Sequence, residues 1–416
     1  MSDGVLSTLR GLRGNARGAI LTEPLWGIPF NLFAPYASVY MLALGLTDAQ
    51  IGTVISVGLA GQVVFSLLSG VLADRMGRRR ATLVFDLIAW SAPCLIWAAA
   101  QDLRWFLLGA LVNSARRVPD NTWNLLLVED TDPEELVHIY AMVYTAGQLA
   151  VFFAPLAGFL ISRFDLVPTV RGLYVLAFLM MTTKFLLLNT LVTETERGRI
   201  RMEETRGRSL LSLLGEVRGL VRTVLTTRQT VHTIALMALV SVVTVIQTTF
   251  WSIIAMENIG IPAEYIAYFP FLRSLAMLGF LGLLVPRLRY IPFGRPMVAA
   301  LCAYALSMLV LVSAPKGGYG LLAVSVLLES GAYSVVATQT ECLAVWNVDP
   351  AERARIVSLA HTVVIACTTP FGWLAGLLSE VDRALPFLLN AMLLLGGIWV
   401  VGRLKAATGT SAVPAP

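Results

Sequence analysis

Apolar residues fall in twelve runs, each about the length that crosses a bilayer as a helix, separated by charged or Pro/Gly-containing breaks. The runs cover 22–44, 49–73, 81–100, 105–128, 136–162, 171–192, 230–256, 263–285, 296–314, 319–346, 355–378 and 384–402. They predict an all-α membrane protein with twelve transmembrane helices, numbered spans one to twelve. The longest hydrophilic interruption divides them six and six. The expected layout is a tail at 1–20, a bundle at 21–192, a linker at 193–229, a second bundle at 230–404 and a tail at 405–416. Within the linker, Leu210, Leu211, Leu213, Leu214, Val217, Leu220, Val221 and Val224 recur at helical spacing beside Arg218, Arg222 and Arg228. That pattern suits a helix lying on an anionic leaflet, and equally a solvated linker helix.

Composition supports the same class. Hydrophobic residues make up 57% of the 416 and charged residues 14%, with a mean hydropathy of +0.74. Soluble domains carry about 25% charge, so a soluble enzyme, a disordered scaffold and a nucleic-acid binder are all excluded. The net charge of +5 matters less than its placement. With the N-terminus inside, twenty-two basic residues lie in inside segments, against Arg104, Arg163, Arg171, Lys316 and Arg383 outside. Both termini are therefore expected in the cytoplasm, with the chain in the cell (plasma or inner) membrane. Arg10, Arg13 and Arg17 precede a long apolar run without a small-residue cleavage pattern, which reads as an uncleaved first span. Cys94, Cys302, Cys342 and Cys367 show neither paired nor metal-type spacing. No metal and no cofactor are expected.

The halves repeat one another. Asp132-Pro133-Glu134-Glu135 opens span five, and Asp349-Pro350-Ala351-Glu352 opens span eleven. Each is a helix start with Asp as cap, Pro in the first turn and an acid able to reach back. Duplicated halves are an architecture of secondary transporters.

Between spans two and three stands Gly70-Val71-Leu72-Ala73-Asp74-Arg75-Met76-Gly77-Arg78-Arg79-Arg80. Gly70 is suited to close helix packing and Gly77 to a tight turn, while the arginines suit a lipid surface. Asp74, alone among four arginines, must pair locally or meet a helix N-terminus. The string resembles the loop 2–3 signature of the major facilitator superfamily, with Gly70, Leu72, Ala73, Asp74, Arg75, Gly77, Arg78 and Arg79 matching. The resemblance implies two pseudo-symmetric six-helix bundles rocking about a cavity lined by spans one, four, seven and ten. It also implies a conformational switch in which Asp74 and Arg78 join Glu129 and lock against the start of span eleven near Arg353 to Ile356. The equivalent string in the second half, from Gly282 to Arg287, lacks the acid. Exporters of this family often carry G-P-x-x-G-G in span five. Here Ala154-Pro155-Leu156-Ala157-Gly158-Phe159 keeps only the Pro and one Gly.

Polar residues line one face of several spans. Span four holds Asn113, Arg116, Arg117, Asp120, Asn121 and Asn124, a stripe untenable against lipid. Span ten holds Glu329, Ser330, Tyr333, Ser334, Thr338 and Glu341; span seven holds Thr244, Gln247, Thr248 and Trp251; span one offers Asn31, Tyr36 and Tyr40. Arg116 or Arg117 suits an anionic substrate group, although Asp120 is close enough to neutralise one of them. Arg273 and Glu329 are expected to form a structural ion pair. The proton-coupling candidates are Glu341, Glu329 and Asp120, with Glu341 preferred because burial would let a carboxyl load and release a proton. Asp86 and Lys184 lie in spans expected at the periphery, and Gln62 either lines the cavity or joins helices.

These features read together as a non-enzymatic, monomeric secondary transporter taking a small-molecule substrate. The preferred form is proton-coupled antiport exporting a small amphipathic organic compound. Import or facilitated movement of a small organic anion is the alternative, and a non-transporting receptor or scaffold is the alternative of another class.

Overall fold

The computed structural model describes residues 14–206, 228–283, 294–346 and 353–407. Span one is broken into α1 (Gly14–Thr22), α2 (Pro24–Phe33), a 3-10 turn (Ala34–Tyr36) and α3 (Ala37–Ala43). Pro24 and Pro29 sit in α2 and Pro35 in the turn, and each lacks the N–H that an uninterrupted helix needs. Span two is one helix, α4 (Asp48–Met76). Its start is a reciprocal cap: Thr47 N–H donates to Gln50 Oε1 at 3.0 Å, and Gln50 N–H donates to the Thr47 hydroxyl at 3.3 Å.

Span three runs through α5 (Arg78–Asp86), a π turn (Leu87–Ser91) and α6 (Ala92–Ala98). Span four is α7 (Leu103–Asn113), a 3-10 turn (Ser114–Arg116) and α8 (Arg117–Val128). Span five comprises α9 (Pro133–Val151) and α10 (Ala154–Phe164), span six α11 (Leu166–Leu191), and the linker begins with α12 (Glu196–Glu204). Span seven is α13 (Arg228–Glu257); span eight is α14 (Ala263–Ile266) and α15 (Tyr268–Leu283). Spans nine to twelve are α16 (Gly294–Val312), α17 (Tyr319–Trp346), α18 (Arg353–Val381) and α19 (Leu385–Ala407).

Among the described residues, nine helical stretches are long and apolar enough to cross a membrane. Spans one and four are not among them: both are broken into short helices, and span four also carries Arg116, Arg117 and Asp120. The amphipathic linker segment at 210–224, the Asp349-Pro350 start and residues 284–287 of the second-half string lie outside the described residues. Asp132 does precede α9, but its side chain makes no capping bond.

The helices form two compact units. The first takes the described residues of 1–34 and 60–215, the second those of 35–59 and 216–416. Segment 35–59 therefore packs with the second half of the chain, whereas the sequence layout assigns it to the first bundle. The helix break at Ala34–Tyr36 coincides with this division. A small-residue contact between α4 and α18 anchors the segment: a Cβ on Gly52 would lie 2.8 Å from Gly376 Cα. Ser56 donates its hydroxyl to the Thr369 carbonyl at 2.6 Å and accepts the Trp373 N–H at 2.7 Å. It thus stands inside the helical bond between 369 and 373, beside Pro370. Gly52→Leu is expected to destabilise the protein by about 1–3 kcal/mol through overpacking at this contact. Thermal unfolding of the purified protein measures it, and an unchanged melting temperature would contradict the contact.

In the first unit α1 wedges between α8, α9 and α11 through Ala16, Ala19, Ile20, Leu126, Leu127, Ile139 and Leu188. In the second, α13 packs on α18 through Ile234, Met237, Leu359 and Val364. Outward-facing positions such as Leu108, Leu179, Leu186, Met392 and Trp399 are exposed apolar side chains, while Thr82, Thr122, Gln247 and Glu329 are buried. Greasy outside and polar inside is the distribution a lipid solvent requires.

Candidate functional site

The loop between spans two and three is held by a dense polar network. Gly77 adopts φ +82°, a conformation suited to glycine, and a Cβ there would meet the Glu194 carboxylate at 2.5 Å. That carboxylate accepts the Arg78 and Arg79 backbone N–H groups at 2.8 and 3.0 Å, an anion at the N-terminus of α5. The Arg78 side chain, 3% exposed, donates through Nε and Nη2 to the two oxygens of Glu129, each at 3.1 Å. Its Nη1 reaches Asp74 Oδ1 at 3.0 Å. The other Asp74 oxygen accepts two bonds from Arg201 on α12, at 3.1 and 2.7 Å. Hydrogen bonding to Asp74 raises the Arg201 pKa further above its usual value. Thr195 caps α12 by accepting from Gly198 N–H and donates to Glu129 at 2.6 Å.

Asp74, Arg78 and Glu129 thus come together, as the resemblance implied, but the second partner of Asp74 is Arg201 in the linker of the same unit. Side chains 351–358 of span eleven lie outside the described residues. Arg79 turns to the Asn189 carbonyl, bonding it at 2.7 and 2.9 Å, and Arg75 is exposed. Gly70 does not serve close packing among the described residues, where no atom lies within 4 Å of a Cβ built on it. Sequence reasoning missed Glu194 and Arg201; the acid-rich run at the start of the linker was the available signal.

Span four supplies the second cluster of the first unit. The amide oxygen of Gln62 accepts from Arg116 Nη2 at 3.2 Å and from Arg117 Nε at 3.1 Å. Asp120 is exposed and only 3.7 Å from Arg117 Nη1, so two cations share one neutral acceptor and one loose carboxylate. Arg116 Nε is buried without a hydrogen-bond partner. The six-residue stripe is not one face. Asn113 donates to the Ala89 carbonyl at 2.7 Å in the π turn, and Asn124 accepts from Tyr140 at 2.7 Å; Asn121 is half-buried. The 3-10 turn at Ser114–Arg116 advances about 120° per residue rather than 100° and rotates α8 out of phase with α7. In the same unit, Trp26 stacks on Phe30 at 4.8 Å and meets Trp90 edge-on at 5.2 Å. This aromatic wall was also missed, although Trp26 and Phe30 are one helical turn apart.

In the second unit, Arg273 Nη2 donates to Glu329 Oε2 at 2.6 Å, and Gln247 Nε2 donates to the same oxygen at 3.0 Å. Glu329 is 3% exposed. Gln247 Oε1, Arg273 Nε and Trp251 Nε1 are buried without hydrogen-bond partners. Trp251 packs on Phe269 at 5.3 Å, and Tyr333 on Tyr304 at 6.3 Å. Unmatched buried donors and an acceptor among aromatic rings suit a small ligand that carries both polar and apolar surface.

Other expectations do not fit. Tyr36 is fully buried in the second unit, and Asn31 bonds its own helix at the Gly27 carbonyl, 2.8 Å away. Glu341 is exposed, so the burial invoked for a proton carrier is absent. Twelve residues beyond Glu329, it lies about 120° round the helix. Asp86 and Lys184, expected to snorkel or to pair locally, are each 5% exposed, and Lys184 pairs with Glu23 at 3.4 Å.

Helices with apolar exteriors and charged groups paired inside them define a multi-pass membrane protein. A family model for the Major Facilitator Superfamily matches residues 26–364, and the chain belongs to that superfamily. Nucleoside transporter NupG superposes with a TM-score of 0.71 at 17% identity, over 94% of this chain and 99% of that one. A POT family transporter in complex with 5-aminolevulinic acid gives 0.74 at 13% identity, covering 98% of each. Both share the fold. The nitrate/nitrite transporter NrtP of Picosynechococcus sp. is 37% identical over 83 residues, a stretch covering 20% of this chain and 15% of that protein. As a member of that superfamily, the chain is a multi-pass membrane protein of the secondary-transporter class.

Proposed function

We propose that the protein moves a small amphipathic organic anion together with protons, acting as a monomer in the cell membrane with both termini in the cytoplasm. The observation that carries the anionic substrate is the pair of guanidiniums at Arg116 and Arg117. They are held by one neutral amide and leave a buried Nε unmatched. A carboxylate or similar group would replace Gln62 as their acceptor and gain charge-assisted bonds. Trp26, Phe30 and Trp90 suit the apolar part of such a compound. The positive residues of the inside segments support the orientation.

A thermal-stability screen of purified protein against a metabolite panel tests this reading. A ligand at a hundredfold excess over its Kd stabilises by about 2.7 kcal/mol. The expected hits are monoanions with an aromatic or branched apolar body, lost in Arg116→Gln. Hits confined to cations or neutral sugars would overturn the reading. A second reading, proton antiport that exports the amphipathic compound, is favoured by Pro155 and Gly158 in span five and by the break before α10. Uptake into sealed vesicles under each gradient direction separates the two. Asp74→Asn is expected to abolish transport while leaving protein in the membrane; unchanged transport would defeat the switch role of the loop.

A further inference from the structure

Lys184 and Glu23, from two different spans, pair inside the first unit, and a third buried ionisable side chain, Asp86 of another span, lies within their electrostatic reach. Lys184 of α11 places Nζ 3.4 Å from Glu23 Oε2, in the short connection between α1 and α2. The same ammonium lies 5.6 Å from the Trp123 ring and 5.5 Å from the Phe185 ring. Asp86, at the end of α5, is within electrostatic reach of Lys184, Glu23 and Asp120. Asp86 and Lys184 are each more than nine-tenths buried, and the Glu23 side chain is 14% exposed.

Two carboxylates face the one ammonium of Lys184. The balancing cation belongs to the Arg116–Arg117 pair, beyond Asp120, so the group by itself carries an excess negative charge. An uncompensated ion in a water-poor interior costs several kcal/mol, whereas one proton shared by the two acids makes the group neutral. The surroundings also offer a route of influence. Trp123, against which Lys184 rests, shares α8 with Arg117 and Asp120, and the backbone directly after Asp86 is a π turn, a distortion frequent at functional sites.

We infer that Glu23, Asp86 and Lys184 form the proton-binding site of this transporter, with Lys184 holding one carboxylate and the other acid carrying the exchangeable proton. The inference rests on the proton-coupled reading above and assigns its site. A proton arriving here removes a negative charge within electrostatic reach of Asp120, the partner of Arg117, and thereby favours an anion at the two guanidiniums. Proton and anion then load together.

Infrared titration of the purified full-length protein tests this without any ligand. Spectra scanned from about pH 5 to about pH 9 cover the range in which buried carboxyls titrate. The wild type is expected to show the carbonyl stretch of one protonated carboxylic acid that fades as pH rises. The band is expected to be lost in Asp86→Asn or in Glu23→Gln and kept in Glu341→Gln. If Asp86→Asn fails to fold, Glu23→Gln together with the wild-type titration decides. A band that persists in both acid variants, or none in the wild type, overturns the assignment. If the band behaves as expected while vesicle transport ignores an imposed proton gradient, the site stands as a proton site and the coupled reading fails.

Discussion

Arg78→Ala is expected to destabilise the protein by about 3–5 kcal/mol, the cost of breaking a buried pair from one side. The guanidinium bonds both oxygens of Glu129, one oxygen of Asp74 and the Ala73 carbonyl. Its removal leaves the Glu129 carboxylate with the Thr195 hydroxyl alone among the described residues. Asp74 fares better because Arg201 remains on its other oxygen. The double variant Arg78→Ala/Glu129→Ala is expected to recover part of the loss, since the stranded charge goes with its partner. Thermal unfolding of the purified variants measures both, and a single variant that melts with the wild type would show that the network has no energetic weight.

Glu329→Gln is expected to cut transport by roughly thirtyfold or more, corresponding to the 2 kcal/mol lower bound for truncating a buried charge pair. Arg273 then faces only neutral partners, and Gln247 must choose between its amide oxygen and nitrogen as the group to present. Glu341→Gln, at an exposed position on the same helix, is expected to change transport by no more than about twofold. Initial rates in proteoliposomes reconstituted at equal protein density separate the two positions. A reversal, with Glu341 sensitive and Glu329 silent, would show that the buried Arg273–Glu329 pair carries no weight in transport.

The contrast between these two acids illustrates which parts of the site were legible. Both lie on span ten, both are carboxylates in apolar sequence, and the one-dimensional pattern ranks them together. Only the neighbours differ: Arg273 and Gln247 reach Glu329, each from a helix distant in sequence. Asn113 marks a second limit. Helical periodicity puts it on the face of Arg116 and Arg117, but a three-residue 3-10 turn between them shifts the phase by about 60°. The meeting of Asp74, Arg78 and Glu129 was legible only through the family resemblance of the loop string; the sequence by itself required no more than that Asp74 be satisfied locally. Arg201 and Glu194 were not legible, since a linker rich in both acids and bases offers many equivalent candidates and docking alone selects among them.

By itself, the sequence established the class of molecule and its apolar runs, together with a loop string whose charges had to be satisfied locally. Those properties are sums over neighbouring residues, because transfer into lipid and preference for one side of a membrane are read segment by segment. The tertiary structure decided which charges meet, placed Lys184 against Glu23, buried Asp86 and Glu329, and assigned segment 35–59 to the second unit. Pairing depends on helix phase, on local 3-10 and π turns and on the surface each helix finds beside it, and none of these is encoded within a single span.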